Sequence, residues 1–295
     1  MRSRLVHVGP APRIAVELTG RGPLVLFMHG IGGNRKAWSE QLEAVAAAGY
    51  TAAAWDARGY GASDDYDGAL EFGHFAHDLR RVLDTLGVQR AHLVGCSMGG
   101  RIALDFYSRW ADRVATLTLA DTSAGSAKVA SPEEVEKFLA IRKKPLLEGR
   151  TPRDIAPAVA ATLVGPGTSP AALARVIESL SELHRDSYLK TLDTVTRHTA
   201  FPPFESIRVP TFIVVGEHDR IATPDYARAM AARIPGSRCE VIAGGSHVSN
   251  MDRPAEFNAL LLEFLDRHRT LADAPRATDG RVSSGDAADA HVPGP

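Results

Sequence analysis

Along the chain, short runs of apolar residues alternate with longer segments in which apolar positions recur every three or four residues. Leu24–Met28 (LVLFM) is apolar at every position, the pattern of a strand buried on both faces. Thr51–Trp55 (TAAAW), Ala91–Gly95 (AHLVG), Val114–Leu119 (VATLTL), Thr211–Val215 (TFIVV) and Arg238–Ile242 (RCEVI) repeat the theme. Between these runs, Lys36–Ala47, Phe72–Leu86 and Ser97–Trp110 have helical spacing. Pro224–Ile234 opens with Pro in the first turn behind Thr223 as cap, and Pro254–Arg267 repeats the arrangement. Such alternation predicts a mostly parallel sheet covered by helices on both faces. Upstream, Leu5–Val8 and Arg13–Leu18 are expected to form an antiparallel entry hairpin.

The alternation stops between Thr122 and Ala200, where the pattern is helical and no strand run occurs. Ser131-Pro132-Glu133-Glu134 reads as a cap, a first turn and an acidic helix start, and Ser169-Pro170 opens another helix. Loops at the carboxyl ends of parallel strands form the ligand crevice, so an insertion leaving there is expected to lie over it as a lid. Leu271–Pro295 is rich in Ala, Asp, Gly, Pro and Ser and has no aromatic residue, too little apolar surface to offset the entropy of ordering. The expected organisation is therefore a core made of residues 1–121 and 201–270, a helical cap of residues 122–200 inserted after the sixth strand, and a disordered tail of residues 271–295.

Composition narrows the class of function. Of 295 residues, 44% are hydrophobic, which excludes a disordered chain. Lys and Arg (34) balance Asp and Glu (35) to a net charge of −1, so nothing draws the chain to nucleic acid or to an acidic membrane. Two cysteines are no disulfide framework and point to a reducing compartment. The opening MRSRLVHVGPAPR lacks the apolar stretch of a secretion signal, and no uninterrupted apolar window of about 18 residues is present. A cytoplasmic protein without a membrane span is expected.

The candidate chemistry centres on Gly95-Cys96-Ser97-Met98-Gly99, which follows a predicted strand and precedes a predicted helix. That is the context of a nucleophile elbow, a turn so tight that the residues flanking the serine two positions away must lack side chains. A serine hydroxyl needs a base, and the base needs a third group to orient it. Asp219, after the strand TFIVV, and His247, after RCEVI, stand where the chain would place the acid and the base. Asp121, just after VATLTL, is a rival acid, and His218 a rival base. Met98 N–H, following the nucleophile, and Ile31 N–H, in the loop His29-Gly30-Ile31-Gly32-Gly33, are the expected oxyanion donors. His29 is read as tying down that loop, and Asp56-Ala57-Arg58-Gly59-Tyr60-Gly61-Ala62-Ser63 as a rigid turn beside the site. Cys96 and Cys239 are read as small buried hydrophobes. No metal-ligand spacing and no phosphate-binding glycine pattern occurs, so no cofactor and no metal are expected.

The motifs HGIGG, DARGYGAS, GCSMGG, GEHD and GGSH, in that order, give the chain a resemblance to the α/β-hydrolase fold superfamily over about residues 10 to 268. The resemblance implies an eight-stranded, mostly parallel sheet with a helical cap, and a triad of Ser97, Asp219 and His247. Within the serine hydrolase branch, GCSMGGRIAL and HVSNMDRPAEF are similar to 3-oxoadipate enol-lactonases and neighbouring carboxylesterases. Meta-cleavage-product hydrolases, which cut carbon–carbon bonds, usually have Asn before the nucleophile and an aromatic residue after the histidine, where this chain has Cys96 and Val248. Haloalkane dehalogenases and epoxide hydrolases use an Asp nucleophile, which Ser97 speaks against.

The function expected is hydrolysis of a small-molecule ester or lactone, by a monomer or small homo-oligomer. The alternatives are carbon–carbon bond hydrolysis, or a lyase or receptor on the same fold. In the cap, Arg142, Lys143 and Lys144 read as a solvated helix end. Arg185, Lys190 and Arg197 supply candidates to meet a substrate carboxylate.

Overall fold

The computed structural model describes residues 3–124 and 131–275. In chain order its strands and helices are β1 (Arg4–Val8), β2 (Ile14–Gly20), β3 (Leu24–Met28), α1 (Ser39–Ala47), β4 (Thr51–Trp55), α2 (Gly73–Thr85), β5 (Ala91–Cys96), α3 (Met98–Arg109) and β6 (Val114–Ala120). Then come α4 (Pro132–Leu147), α5 (Pro152–Leu163), α6 (Pro170–Ser181) and α7 (Arg185–Arg197). The chain returns through β7 (Thr211–Gly216), α8 (Pro224–Ala231), β8 (Arg238–Ile242), α9 (Ser249–Asp252) and α10 (Pro254–Arg267).

Eight strands form one sheet in the order β1-β2-β4-β3-β5-β6-β7-β8. Only β2 runs against the others: it pairs antiparallel with both β1 and β4, and every remaining pair is parallel. The entry hairpin is therefore present. The apolar runs became the central strands because both faces of β3 through β7 are covered, and every residue of those five strands is buried. On one face Phe27, Ala54, Val94 and Phe212 pack under α1 and α10 with Trp38, Val45, Phe257 and Leu261. On the other, Leu26, Leu93 and Leu119 meet α2 and α3 through Leu79, Val82, Ile102 and Phe106. Alternate residues of one strand thus feed two separate cores.

Two helices depart from the expected spans. Lys36–Ala47 divides into a 3-10 turn, Arg35–Trp38, and α1, because Asn34 accepts a hydrogen bond from Lys36 N (3.0 Å) and fixes an earlier, tighter start. The helix expected over Pro224–Ile234 stops at Ala231, and Pro235 disfavours a helical backbone at the residue before it.

Between β6 and β7 the described residues form four α-helices. Ser131 and Thr151 each close a capping box, with Glu134 and Asp154, ahead of a first-turn proline, and Ser169 caps α6. The Thr151-Pro152 start carries the same signal as Ser131-Pro132. No helix among the described residues is long and apolar enough to cross a membrane. Of the segment expected to be a tail, residues 276–295 lie outside the described residues. Its first residues are tied to the sheet: Leu24 N donates to Asp273 O (2.8 Å), and Asp273 N to Arg90 O (2.9 Å).

Candidate active site

The position expected for the nucleophile is built by β5 and α3. Ser97 stands between them at φ 52°, ψ −112°, a conformation that side-chain-bearing residues rarely adopt. A Cβ on Gly95 would collide with the Gly99 backbone, and one on Gly99 with the Met28 carbonyl. The glycines are thus required by close approach of backbone to backbone. Met98 opens α3, so its amide has no carbonyl of a preceding helical turn to bind. The positive end of the helix also lies there.

β7 and β8 carry the other two groups in the loops that follow them. His247, buried at 6% exposure, has Nε2 3.1 Å from Ser97 Oγ. Its Nδ1 is 2.8 Å from Asp219 Oδ2. The other oxygen of Asp219 accepts from Ile221 N (2.7 Å) and Ala222 N (2.9 Å), which fixes the plane of the carboxylate. Burial opposes charging of His247, but the hydrogen bond and charge of Asp219, helped by Asp121, outweigh it and hold the imidazole pKa above its usual value. The structure therefore brings Ser97, His247 and Asp219 into one line.

Ile31 lines the cavity beside Ser97 with Gly30, Gly32 and Gly33. Its loop is held from three sides. Tyr60 hydroxyl donates to Ile31 O (2.9 Å), Gly33 N donates to Gly30 O (3.0 Å), and His29 lies beneath. Ala57 N donates to His29 Nε2 (3.0 Å), so Nδ1 carries the proton and donates to Gly30 O (2.7 Å). Burial keeps the His29 pKa low, and the ring neutral. The DARGYGAS turn is scaffold. Asp56 accepts from Arg35 N (2.7 Å) and Ala62 N (2.8 Å), and Ser63 Oγ donates to Asp56 O (2.6 Å).

The rivals are placed elsewhere. His218 is exposed beside Glu217. Asp121, fully buried and at φ 46°, accepts from Gly216 N (3.0 Å) with one oxygen. With the other it accepts from Ser249 N (3.0 Å) and Ser249 Oγ (2.8 Å). It thus ties the strand end three residues before Asp219 to the turn two residues after His247. Burial, with the charge of Asp219, pushes its pKa up to about 7. Burial likewise raises the Cys96 thiol far above its ordinary value and keeps it protonated. The loop that carries His247 has a second brace that motif reading missed: Ser246 N donates to Asp252 (2.7 Å), as does Ser246 Oγ. His247 N–H donates to Leu163 O (3.1 Å), so the inserted helices are joined to the same loop.

The cationic candidates sort differently from the sequence reading. Arg185 donates to Leu146 O and pairs with Asp186, Lys190 donates to Tyr66 O, and Arg197 pairs with Glu136. Arg142 instead lines a cavity that Ser97 and His247 share.

Against known proteins, the sequence model described as the alpha/beta hydrolase fold matches residues 23–254. A 2-hydroxy-6-oxononadienedioate/2-hydroxy-6-oxononatrienedioate hydrolase of Klebsiella pneumoniae is 29% identical, over 90% of this chain and 96% of that protein. Among solved structures, a thermophilic esterase from Thermogutta terrifontis superposes with a TM-score of 0.81 at 26% identity, covering 91% of this chain and all of the other. The enol-lactonase from Burkholderia xenovorans LB400 shares the fold, with a TM-score of 0.78 at 24% identity over 89% of this chain and 100% of its own.

Proposed function

The chain belongs to the α/β-hydrolase fold family, and from that premise we propose that this hydrolase cleaves a carboxylic ester or lactone of a small molecule through an acyl-enzyme on Ser97. The observation that carries the reading is the unbroken run from Asp219 Oδ2 through His247 to Ser97 Oγ, with contacts of 2.8 and 3.1 Å. Asp219 holds the imidazole proton on Nδ1, leaving the Nε2 lone pair to accept from the serine.

Ser97 Oγ forms a bond to the carbonyl carbon while its proton passes to His247 Nε2. The carbonyl π electrons move to oxygen, where Met98 and Ile31 amides take the role of donors. Collapse breaks the carbon–oxygen bond, and the imidazolium returns its proton to the leaving alcohol or, for a lactone, to the ring oxygen. Water then repeats the sequence on the acyl-serine, losing its proton to Nε2, and releases the acid. The raised pKa of His247 suits it to both halves, since it must gain a proton and give it back.

Carbon–carbon bond hydrolysis is the second reading, favoured by the relatives at 28–29% identity whose names are those of dienedioate hydrolases. Cys96 and Val248 stand where meta-cleavage-product hydrolases usually have Asn and an aromatic residue. The two readings separate on a panel of p-nitrophenyl butyrate, a γ-lactone and a yellow dienoate. Ser97→Ala is expected to lower ester turnover by roughly three orders of magnitude or more. Undiminished turnover by a folded Ser97→Ala protein would remove the acyl-enzyme. Bleaching of the dienoate with a kcat/KM above that for any ester would move the reaction to a carbon–carbon bond.

A further inference from the structure

Two compartments meet at Ser97 and His247. The smaller, about 60 Å³, runs under Gly33, Trp38, Cys96, Val176 and Met251, and no Lys, Arg, Asp or Glu is among the described residues of its wall. The larger, about 190 Å³, is enclosed by the inserted helices through Phe138, Val159, Leu163, Tyr188 and Leu192. Phe138 and Ile221 in its wall are themselves exposed (43% and 41%) and form its mouth. Among the described residues of its wall, Arg142 is the one Lys or Arg.

Among the described residues, Arg142 differs from its neighbours in pairing with no carboxylate. Lys143 pairs with Asp193 (2.5 Å) and Lys144 with Glu148 (3.7 Å). Arg142 has no carboxylate within ion-pair distance among the described residues. One Nη2 hydrogen bonds to Thr162 Oγ1 (2.8 Å), and the guanidinium lies 5.5 Å from the centre of the Phe138 ring. These two contacts aim the planar group and use one of its five N–H donors. A half-buried cation in a mainly apolar cavity loses hydration unless an anion offsets it. A guanidinium held in this way presents a fork that matches a carboxylate.

We propose that Arg142 makes the larger compartment a carboxylate subsite, so that the substrate carries an anionic group on one side of the scissile carbonyl and a short apolar group on the other. This rests on the serine hydrolase reading above. Arg142 is assigned here by its place in the cavity wall, whereas the cationic positions on α7 are engaged elsewhere.

The test compares ester pairs that differ only in charge. The first pair is mono-p-nitrophenyl glutarate and its methyl ester, with the carboxylate on the acyl side. The second is 4-carboxyphenyl butyrate and its methyl ester, with the carboxylate on the leaving side. The native protein is expected to prefer the anionic member of at least one pair by about tenfold or more in kcat/KM. Arg142→Gln is expected to lower kcat/KM for that anionic ester about ten- to a hundredfold more than for its neutral partner, chiefly through KM. Arg142→Lys keeps the charge without the fork, should retain part of the preference, and serves if the glutamine variant does not fold. No anionic preference in either pair, or equal losses on both members, would overturn the subsite. If no ester is turned over, the ester-hydrolase reading fails, and the subsite is judged separately by calorimetry with glutarate. Binding that weakens about tenfold or more in Arg142→Gln keeps it, and binding that is absent or insensitive to Arg142 ends it.

Discussion

Replacing Asp219 with asparagine changes one atom and is expected to trap His247 in the wrong tautomer. In the native site, Ile221 N and Ala222 N both donate to Asp219 Oδ1, at 2.7 and 2.9 Å, while Oδ2 faces His247 Nδ1 at 2.8 Å. An asparagine must keep its carbonyl toward those two amides, because turning the NH₂ group to them leaves both without an acceptor. Each unpaired amide costs about 1–3 kcal/mol. The pair therefore favours one orientation by about 2–6 kcal/mol, a ratio of roughly thirty or more. The asparagine NH₂ then donates to Nδ1, and the imidazole proton is driven to Nε2, the nitrogen 3.1 Å from Ser97 Oγ. With its lone pair gone, Nε2 no longer accepts from the serine. The loss expected in kcat for p-nitrophenyl butyrate is about four orders of magnitude, the size known for such a tautomer trap in serine proteases. The assay is kcat across the range in which imidazole titrates, on protein whose melting curve shows it folded. In Asp219→Ala no donor faces Nδ1, so the competent tautomer stays accessible. An asparagine variant within tenfold of native activity, or more active than the alanine variant, would refute the reasoning.

The acid limb of kcat/KM should lie above the usual imidazole pKa, with activity rising as pH rises, because the hydrogen bond and charge of Asp219 hold His247 protonated against burial. Salt should shift that limb little, since the groups are buried. The folded chain keeps a proton on Asp121 up to about 7, whereas the unfolded chain releases it near the ordinary 3.8. That contribution to stability is complete below the unfolded value and is lost as pH rises toward 7. Urea midpoints should therefore fall less steeply across this window in Asp121→Asn than in the native protein, and identical slopes would contradict the assignment. Gly99→Ala drives a methyl group into the Met28 carbonyl, and is expected to give protein with a greatly lowered melting temperature or none in the soluble fraction. Tyr60→Phe removes the hydroxyl that holds Ile31 O, and should reduce kcat while leaving KM nearly constant, by up to about tenfold. An equal rise in KM would place Tyr60 in substrate binding instead.

The strands and the elbow were legible because their causes are local. A fully apolar run of five residues has few fates in a chain this size, and a glycine–serine–glycine turn advertises its own crowding. Ser97, Asp219 and His247 follow from chain order at strand ends, which the alternating pattern already located. Asp121 was read only as a rival acid because its use depends on Ser249, 128 residues away. Tyr60 was read only as part of the rigid turn beside the site, and Asp252 only within the segment that follows the histidine, since the backbone group each holds is identified by folding. The cationic candidates on α7 make their contacts away from the cavity beside Ser97. Which arginine faces a cavity depends on the rotation of each helix about its axis, and that is decided by packing. Arg142 lies on α4, beside Lys144, which is exposed as the sequence suggested, and Lys143, which is largely covered and pairs with Asp193.

The backbone at Ser97 sets working life against durability. Its torsion angles suit glycine, and holding a side chain there costs about 1–3 kcal/mol. Glycine would relieve that strain while adding about 0.5–1 kcal/mol of freedom to the unfolded chain. A Ser97→Gly protein would thus be inert yet melt a few degrees higher, at roughly 2–4 °C per kcal/mol for a chain of this size. A descendant freed from turning over substrate would therefore have a thermodynamic reason to discard this serine first, and retirement would be the more comfortable state of the fold.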